Sequence, residues 1–415
     1  MTTNMKKTIS LPINFSDIVQ AENNLRESEL VYPARLKYCN FLSKKYNANI
    51  YHVIEILQIV KSFKIRGACN KIMSLSPEQR KKGVICASAG NHAQGTAATA
   101  TKLGIKSYIC MPSNAPLAKI SATKSFGGNV ILAKEPSFQA AYELSKKLAK
   151  ERGLVEIPPY DDVKVIAGQA TIALEVLEQN PKIDTFIVPI GGGGLISGIA
   201  ICAKTINPNI KIIGVQAENF PAMKMSKEKG KIVSYATGMP TLADGCAVKT
   251  PGNITFEIVK KLVDQIITVT EDEIATAITL LSDAGKIVAE GAGAMPTAAI
   301  ASGKIKVKKG SNIALLVSGG NIDTAKFSIT LSKGLELLNR KVKFEIELKD
   351  TNRVKKFFEI TAKNNGTAYC ILSEKQITPN TKPGKYSLFA IFLDEKSTKQ
   401  FKADLKASKI AHKFF

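Results

Sequence analysis

The feature that most constrains the fold of this 415-residue chain is the alternation of short apolar runs with longer segments of helical periodicity. Segments such as SFQAAYELSKKLAKERG and DEIATAITLLSDAG have helical periodicity, and they alternate with the apolar runs GVICAS, KSYICMP, GNVILAK, TFIVPI, KIIGVQA, QIITVT and NIALLVSGG. Strands that alternate with helices form a mostly parallel sheet covered by helices. The sequence therefore predicts an α/β fold, and its 45% apolar residues allow a large buried core.

Composition and charge narrow the class of protein. No stretch reaches the roughly 18 apolar residues that cross a membrane, and the N-terminus lacks the apolar core of a signal peptide, so we expect a cytoplasmic protein. The seven cysteines and three histidines are scattered, which disfavours a metal site. The net charge is +23, but the lysines are spread along the chain without a basic tail or an aromatic-interleaved patch. We therefore expect small-molecule partners, and neither nucleic acid nor a membrane.

Three glycine-rich turns follow predicted strands. SAGNHAQG (88–95) comes after VICA, GGGGLISG (191–198) after FIVPI, and SGGN (318–321) after IALLV. In parallel α/β sheets, ligands bind at the carboxyl ends of the strands, where such turns lead into helices. One turn of this kind is a weak signal, but three of them at strand ends predict a common binding site.

The run of four glycines indicates a phosphate-binding loop. Without Cβ atoms the backbone amides can turn toward an anion, and the dipole of the following helix favours negative charge. The run matches neither the Walker sequence nor the G-x-G-x-x-G arrangement of a dinucleotide site. A tight structural turn is the alternative, although a turn seldom needs four glycines.

A lysine lies near the start of another predicted helix, in the segment KSFKIRGACN (61–70), which follows an apolar run. A buried lysine has a lowered pKa and can attack a carbonyl group. Alone, Lys64 would more often be an ordinary surface lysine. Together with a phosphate-binding loop, it suggests an imine between the lysine and pyridoxal phosphate.

The segment SFKIRGA (62–68) resembles the lysine motif of the serine/threonine dehydratase family, pyridoxal-phosphate enzymes of fold type II, which are similar to the tryptophan synthase β subunit. Seven further segments are similar to motifs of that family and follow in its order: SAGNHAQG, MPSNAPLAKISATKSFGGNVIL (111–132), YDDVKVIAGQATIALEV (160–176), GGGGLISG, TLADGCAVKTPG (241–252), EGAGA (290–294) and SGGNID (318–323). The similarity covers roughly residues 20–335 and is greatest to the threonine dehydratases. It implies a two-lobed, parallel-sheet catalytic domain at residues 1–334, with a smaller lobe at roughly residues 50–155.

The resemblance also implies roles for individual residues. Lys64 would form the imine with the cofactor, and Phe63 would pack against the cofactor ring. Asn91 would hydrogen-bond the ring's phenolic oxygen, and Ser318 would hydrogen-bond the ring nitrogen. The phosphate would be held by the backbone amides of Gly191, Gly192, Gly193, Gly194 and Leu195. The substrate carboxylate would be held by Ser88, Ala89, Gly90, Asn91 and His92.

This set of residues implies β-elimination from L-threonine, with L-serine as a second substrate, to 2-oxobutanoate or pyruvate and ammonia. Lys64 and Ser88 are the expected catalytic residues, and Lys64 would remove the α-proton. Alanine at position 89 cannot transfer a proton on the opposite face, which argues against a racemase. His92 could act as a base, but we expect it to pack within its loop. A β-replacement enzyme, a serine-specific dehydratase and a catalytically impaired amino-acid sensor remain as alternatives.

The chain departs from the family pattern at Tyr32, Val53, Lys61 and the stretch QAENFPA (216–222). Lys61 replaces a glycine that usually precedes the serine of the lysine motif, and a side chain there is expected to strain the backbone by ~1 kcal/mol or more. The stretch QAENFPA (216–222) lacks two carboxylates of the divalent-metal motif of some relatives. We therefore expect no divalent metal at that stretch.

After about residue 334 the pattern changes to the order β-α-β-β-α. KVKFEIEL, TAYCILS and KYSLFAIFLD are typical of strands, NRVKKFFEITAKNNG and STKQFKADLKAS of helices, and IAHKF could close the sheet. This order is typical of a small α+β ferredoxin-like module and is similar to an ACT domain, which binds amino acids or pairs with itself. We expect residues 335–415 to form a regulatory or dimerisation domain of a homo-oligomer, either a dimer or a tetramer.

Overall fold

The computed structural model describes residues 12–371 and 375–415. The chain forms two compact units. The first comprises the described residues up to Ile274 together with Leu281–Ile322, and the second comprises Ala275–Leu280 with the described residues after Ile322. No helix in the described ranges is long and apolar enough to cross a membrane.

Six strands form the larger sheet of the first unit. In spatial order they are β1 (Arg35–Tyr38), β2 (Asn49–Ile54), β10 (Asn312–Val317), β7 (Thr185–Pro189), β8 (Lys211–Ala217) and β9 (Gln265–Val269). β1 is antiparallel to β2, and all other neighbours are parallel. Every residue of β7 is buried, as expected for a central strand with helices on both faces.

A smaller sheet of the first unit has four parallel strands. In spatial order they are β5 (Asn129–Leu132), β4 (Ser107–Met111), β3 (Val84–Ala87) and β6 (Val155–Glu156). The mostly parallel larger sheet and the parallel smaller sheet confirm the α/β architecture that the alternating pattern predicts. The bounds of the smaller lobe stay a prediction.

Helices cover both sheets. Those of the first unit are α1 (Phe15–Ser28), α2 (Asn40–Tyr46), α3 (Lys64–Met73), α4 (Pro77–Lys82), α5 (Asn91–Lys102), α6 (Leu117–Ser125), α7 (Phe138–Arg152), α8 (Val163–Gln179), α9 (Gly194–Ile206), α10 (Ala222–Lys229), α11 (Asn253–Leu262), α13 (Gly291–Ala301) and a 3-10 turn (Asp244–Cys246). α12 (Glu271–Asp283) runs through both units.

The close packing of α8 on α9 depends on a glycine. A Cβ atom at Gly198 would lie 2.5 Å from the carbonyl oxygen of Ile166, so only glycine allows the two helices to approach this closely. The side chain of Asp162 begins α8 by accepting hydrogen bonds from the amides of Lys164 and Val165. The helices and the larger sheet enclose one continuous core, whose fully buried members include Ile166, Val176, Phe186, Ile199 and Leu316.

The second unit contains a four-stranded antiparallel sheet. In spatial order its strands are β12 (Gly366–Cys370), β13 (Gly384–Phe392), β11 (Lys341–Leu348) and β14 (His412–Phe414). Its helices are α14 (Thr324–Leu337), α15 (Thr351–Lys363) and α16 (Glu395–Ala407). The core contains four buried phenylalanines, and Phe401 makes ring contacts with the other three, Phe344, Phe357 and Phe392.

The elements after residue 340 follow the order that the sequence predicts, with β14 as the closing strand. The helix before them, α14, belongs to the second unit as well. The ACT-like character of this unit and the boundary after residue 334 stay predictions.

Candidate active site

Lys64 is the first residue of α3, and the turn before it is tied to the carboxyl end of β10. The amide of Phe63 donates a hydrogen bond to the carbonyl of Ser318 at 3.0 Å, and Ser62 forms an isolated bridge with Gly319. The lysine segment and the SGGN turn therefore lie side by side at the end of the sheet where α/β proteins bind ligands.

The ε-amine of Lys64 points into the protein. It donates a hydrogen bond to the carbonyl oxygen of Pro159 at 2.7 Å and lies 5.3 Å from the centre of the Phe63 ring. Burial lowers the pKa of this amine to about 8, while Cys246 and Glu290 act in the opposite direction. A lysine with this pKa is partly unprotonated near neutral pH and can act as a nucleophile.

Lys61 has the backbone conformation that glycine would adopt more easily. Its φ is 56°, in the left-handed region that few residues with a Cβ atom occupy. Its amide donates to the carbonyl of Gln58 at 2.7 Å, and its carbonyl accepts from Gly320 at 3.0 Å. These bonds hold the strained turn, at a steric cost of about 1–2 kcal/mol.

The asparagine loop, residues 88–92, connects β3 to α5. The hydroxyl of Ser88 accepts a hydrogen bond from the amide of Gly90 at 3.2 Å. Gly90 precedes the first residue of α5 and offers no side chain to its amides. The first turn of this helix can therefore receive an anion such as a carboxylate. Ala89, which presents only a methyl group, lies in the same loop.

His92 is buried in the first turn of α5. Its Nε2 lies 2.8 Å from the carbonyl oxygen of Ile157, and its Nδ1 has no partner among the described residues. Burial, together with the nearby Lys64, lowers the pKa of His92 to about 3. The ring is therefore neutral at physiological pH, as expected for a packing residue.

The four glycines form a cradle between β7 and α9, with neighbouring groups so close that Cβ atoms would not fit. A Cβ at Gly192 would lie 2.4 Å from the ring of Tyr160, and one at Gly193 would lie 2.8 Å from Thr255. Gly193 also has φ of 100°, which excludes other residues without strain. Leu195 is buried in the first turn of α9, and no side chain caps that helix. The amides at its start are therefore available to an anion.

Cys246 lies near both the cradle and Lys64. A Cβ atom at Gly191 would lie 3.1 Å from the Cα of Cys246, and the thiol interacts electrostatically with Lys64. Burial raises the pKa of this thiol to about 12, so it is a neutral wall of the site. The predicted site residues thus lie around one region of the first unit, while their individual roles stay predictions.

Two polar residues beside Asn91 received no role from the sequence. The carboxylate of Glu290 accepts a hydrogen bond from Nδ2 of Asn91 at 2.8 Å, and Nδ2 of Asn321 donates to Oδ1 of Asn91 at 2.8 Å. Burial, together with the charge of Asp244, raises the pKa of Glu290 to about 7. Both residues lie in segments that resemble family motifs, EGAGA and SGGNID. This resemblance is the feature of the sequence that could have indicated a role for them.

A buried ion cluster lies behind the lysine helix and was also absent from the sequence predictions. Nε of Arg66 lies 2.8 Å from the carboxylate of Glu55, and Nη1 lies 2.7 Å from that of Glu175. Arg66 also donates to the carbonyl of Tyr32 at 3.0 Å. Burial raises the pKa of Glu55, and the charge of Arg66 acts in the opposite direction. The cluster fixes the helix that begins with Lys64.

The described part of the chain contains no group of three or more histidine, cysteine or acidic side chains arranged to hold a metal ion. In the stretch QAENFPA, the side chain of Gln216 is engaged with the backbone, since it donates to Phe220 at 3.0 Å and accepts from Lys224 at 2.8 Å.

The site has the groups that pyridoxal phosphate requires. The glycine cradle at the start of α9 leaves its amides to a phosphate, since Cβ atoms would fill that space. The half-buried amine of Lys64, whose pKa is lowered to about 8, suits attack on the aldehyde. The hydroxyl of Ser318 would be a neutral partner for the ring nitrogen, as the sequence predicts.

Curated relatives and a family model match most of the chain. Residues 27–319 match the model described as pyridoxal-phosphate dependent enzyme. The L-threonine ammonia-lyase of Thermotoga maritima is 47% identical over 338 residues, which cover 81% of this chain and 83% of that protein. The L-threonine dehydratase catabolic TdcB of Staphylococcus aureus strain N315 is 47% identical over 344 residues, which cover 81% of this chain and 97% of that protein.

Solved structures agree in fold. The processed form of threonine deaminase isoform 2 from Solanum lycopersicum has a TM-score of 0.71 at 36% identity, over 77% of this chain and 94% of that one. Maize serine racemase has a TM-score of 0.72 at 35% identity, over 78% of this chain and 98% of that one. The family model, the curated relatives and the structures all point to the same α/β catalytic fold, fold type II. The chain therefore belongs to the family of pyridoxal-phosphate dependent enzymes.

Proposed function

We propose that this chain is an L-threonine ammonia-lyase that uses pyridoxal phosphate and converts L-threonine to 2-oxobutanoate and ammonia, with L-serine as a slower substrate. The observation that carries the proposal is the position of the half-buried amine of Lys64, which donates to the carbonyl of Pro159 beside the glycine cradle and whose pKa is lowered to about 8. Relatives named L-threonine ammonia-lyase and L-threonine dehydratase are 47% identical over 81% of the chain.

The residues of the chain have distinct roles in holding the cofactor. The backbone amides of residues 191–195 bind the phosphate, and Lys64 forms the covalent link. Asn91 donates to the ring oxygen, and Phe63 packs against the ring. The neutral hydroxyl of Ser318 faces the ring nitrogen, where it leaves that nitrogen less readily protonated than an aspartate would.

When bound, the cofactor draws electrons away from the α-carbon of the substrate, which makes the α-proton acidic. The amino group of the substrate would replace Lys64 in the covalent link, and the freed Nζ of Lys64 would accept that proton. The amides at the start of α5 and the hydroxyl of Ser88 orient the substrate carboxylate. The hydroxyl group leaves from the β-carbon and takes a proton to become water. The released enamine then takes up water and gives the 2-oxo acid and ammonia.

Ala89 favours elimination over racemisation, because its methyl group cannot return a proton to the opposite face of the substrate. This distinction is needed because maize serine racemase is among the similar structures. A chain with Ala89→Ser should produce some D-serine from L-serine, whereas the unmodified chain should produce none that chiral chromatography detects. D-serine from the unmodified chain would favour a racemase.

The second unit supports a further part of the proposal. Its elements run in the order β11-α15-β12-β13-α16-β14, with the four strands antiparallel. This order suits an ACT-like regulatory or dimerisation domain, as the sequence predicts for residues 335–415. The proposal includes a cytoplasmic homo-oligomer that acts on small amino acids.

A product assay tests the proposed reaction. The purified protein, with and without added pyridoxal phosphate, receives L-threonine, L-serine, or O-acetyl-L-serine with sulfide. We expect 2-oxobutanoate from L-threonine, less pyruvate from L-serine, and no cysteine. The matched control is Lys64→Ala, which should make no 2-oxo acid.

Other outcomes select the alternatives. Pyruvate from L-serine without 2-oxobutanoate from L-threonine would indicate a serine-specific dehydratase. Cysteine formation would indicate β-replacement. A cofactor-loaded protein with no product from any of the three would contradict the enzyme and favour a sensor.

A further inference from the structure

Glu290 is a buried carboxylate placed between the asparagine loop and the SGGN turn. It is 5% exposed and precedes the first residue of α13. Its amide donates to the carbonyl of Gly319 at 3.0 Å, and a Cβ atom at Gly319 would lie 2.4 Å from Oε1 of Glu290. The glycine at position 319 therefore leaves the space that this carboxylate occupies.

The carboxylate and Asn321 together determine the orientation of the Asn91 side chain. Nδ2 of Asn91 donates to Glu290, and Oδ1 of Asn91 accepts from Nδ2 of Asn321. A flipped amide would place its oxygen against the carboxylate and its NH2 group against the NH2 group of Asn321, so both bonds would be lost. Because the amide is planar, these two bonds also fix the direction of the second N–H of Nδ2.

We propose that Glu290 is a positioning residue that orients Asn91, so that the second N–H of Asn91 meets the ring oxygen of the cofactor. This inference rests on the proposed function, because it takes the role of Asn91 from it. Glu290 acts through Asn91: its carboxylate binds one N–H and leaves the other for the cofactor. A charge-assisted hydrogen bond of this kind is stronger than one between neutral groups.

The same contact gives a pH dependence. As the pH falls through about 7, Glu290 takes up a proton and becomes a weaker acceptor for Asn91, because burial raises its pKa to that value. The ionisable groups that interact with Glu290 come from three other elements and are Asp244 and Cys246 of the 3-10 turn, Lys119 of α6 and Lys64 of α3. The orienting effect is therefore present above about pH 7 and weakens below it.

Cofactor binding in a double-mutant cycle tests the inference. The four proteins are the unmodified chain, Asn91→Ala, Glu290→Ala and the double variant, and the dissociation constant for pyridoxal phosphate is measured by spectroscopic titration. If Glu290 acts through Asn91, Glu290→Ala should bind the cofactor about 10-fold more weakly than the unmodified chain. The double variant should bind it at most ~3-fold more weakly than Asn91→Ala, because Glu290 then has no Asn91 side chain to orient. Losses that multiply in the double variant would overturn the proposal.

Glu290→Gln separates orientation from general support of the fold. The glutamine keeps a neutral acceptor for Asn91 and cannot ionise, so at pH 8 it should bind the cofactor within ~3-fold of the unmodified chain at pH 6, and more tightly than Glu290→Ala. The change in the visible absorbance of bound cofactor between pH 6 and 8 should be lost in this variant. A persistent pH response in Glu290→Gln, or binding as weak as in Glu290→Ala, would contradict the inference.

Glu273→Gln is the matched control. It removes a carboxylate 2.7 Å from Lys304, and it should change neither the binding constant nor the pH response. These titrations need no turnover. A chain that shows the coupling but makes no 2-oxo acid from L-threonine would contradict the proposed function and leave the role of Glu290 in place.

Discussion

The ε-amine of Lys64 donates a hydrogen bond to the carbonyl oxygen of Pro159, 2.7 Å away. The next residue, Tyr160, packs its ring where a Cβ atom at Gly192 would lie. Lys64 and the glycine cradle therefore both contact the adjoining residues 159 and 160. These two residues connect the two predicted anchors of the cofactor.

The lowered pKa of Lys64 predicts how fast cofactor-free protein takes up pyridoxal phosphate. Only the unprotonated amine is nucleophilic, so the uptake rate should rise as the pH increases through about 8. An ordinary lysine would show this rise near its usual pKa of about 10.4. Stopped-flow absorbance at a series of pH values measures the rate.

The control is the reaction of Nα-acetyl-lysine with pyridoxal phosphate at the same pH values. It shows how much of the pH dependence comes from ionisation of the cofactor. If the protein followed the pH profile of this free amine, burial of Lys64 would not explain its reactivity.

Gly192→Ala should weaken cofactor binding by about 10-fold or more, because the added methyl group must displace Tyr160 from the wall of the cradle. Fluorescence titration with pyridoxal phosphate measures the change. Gly384→Ala is the matched control, since a Cβ atom there would make ordinary contact with Tyr386 at 3.5 Å. Unchanged affinity in Gly192→Ala would show that the cradle does not hold the phosphate.

Arg66→Met should lower the free energy of unfolding by about 3–5 kcal/mol, because it leaves Glu55 and Glu175 as unpaired buried carboxylates. Urea denaturation followed by circular dichroism measures the loss. Lys304→Met removes a more exposed partner of Glu273 and should cost less than ~1 kcal/mol. Equal effects of the two substitutions would indicate that the buried cluster does not stabilise the lysine helix.

A chain that ends at Leu338 should keep cofactor binding and deamination of L-threonine. The reason is that none of the predicted cofactor-binding residues lies beyond Ser318. The truncated chain keeps α14 because this helix packs closely on α12, where Gly334 faces Thr279. The loss of the sheet should instead change the oligomeric state or the response to amino acids, which light scattering and an assay with added isoleucine or valine would measure. A soluble truncated chain that binds no cofactor would show that the second unit helps to build the active site.

The parts of the site that depend on contiguous residues could be predicted from the sequence. Lys64 at a helix start and the cradle after β7 each follow from a local pattern of glycine, apolar run and helix. Lys61 is a similar case, because the expected need for glycine appears as its φ of 56°. The elements of the second unit also follow from alternation and helical periodicity within short segments.

Contacts between distant segments could not be predicted in the same way. Glu290 and Asn91 are 199 residues apart, and no local rule indicates that their side chains meet. The same is true of Arg66 and Glu175, whose burial as an ion pair depends on how α3 packs against α8. Such pairs depend on tertiary packing, which a single sequence does not specify residue by residue.

The identity of the cofactor lysine is the most direct test of the account. Protein loaded with pyridoxal phosphate is reduced with borohydride, unfolded and digested with chymotrypsin. Cleavage after Phe63 separates Lys61 from Lys64, and mass spectrometry then locates the pyridoxyl group. The account predicts this group on Lys64 alone, whereas its attachment to Lys61 or to any other lysine would contradict the proposed active site.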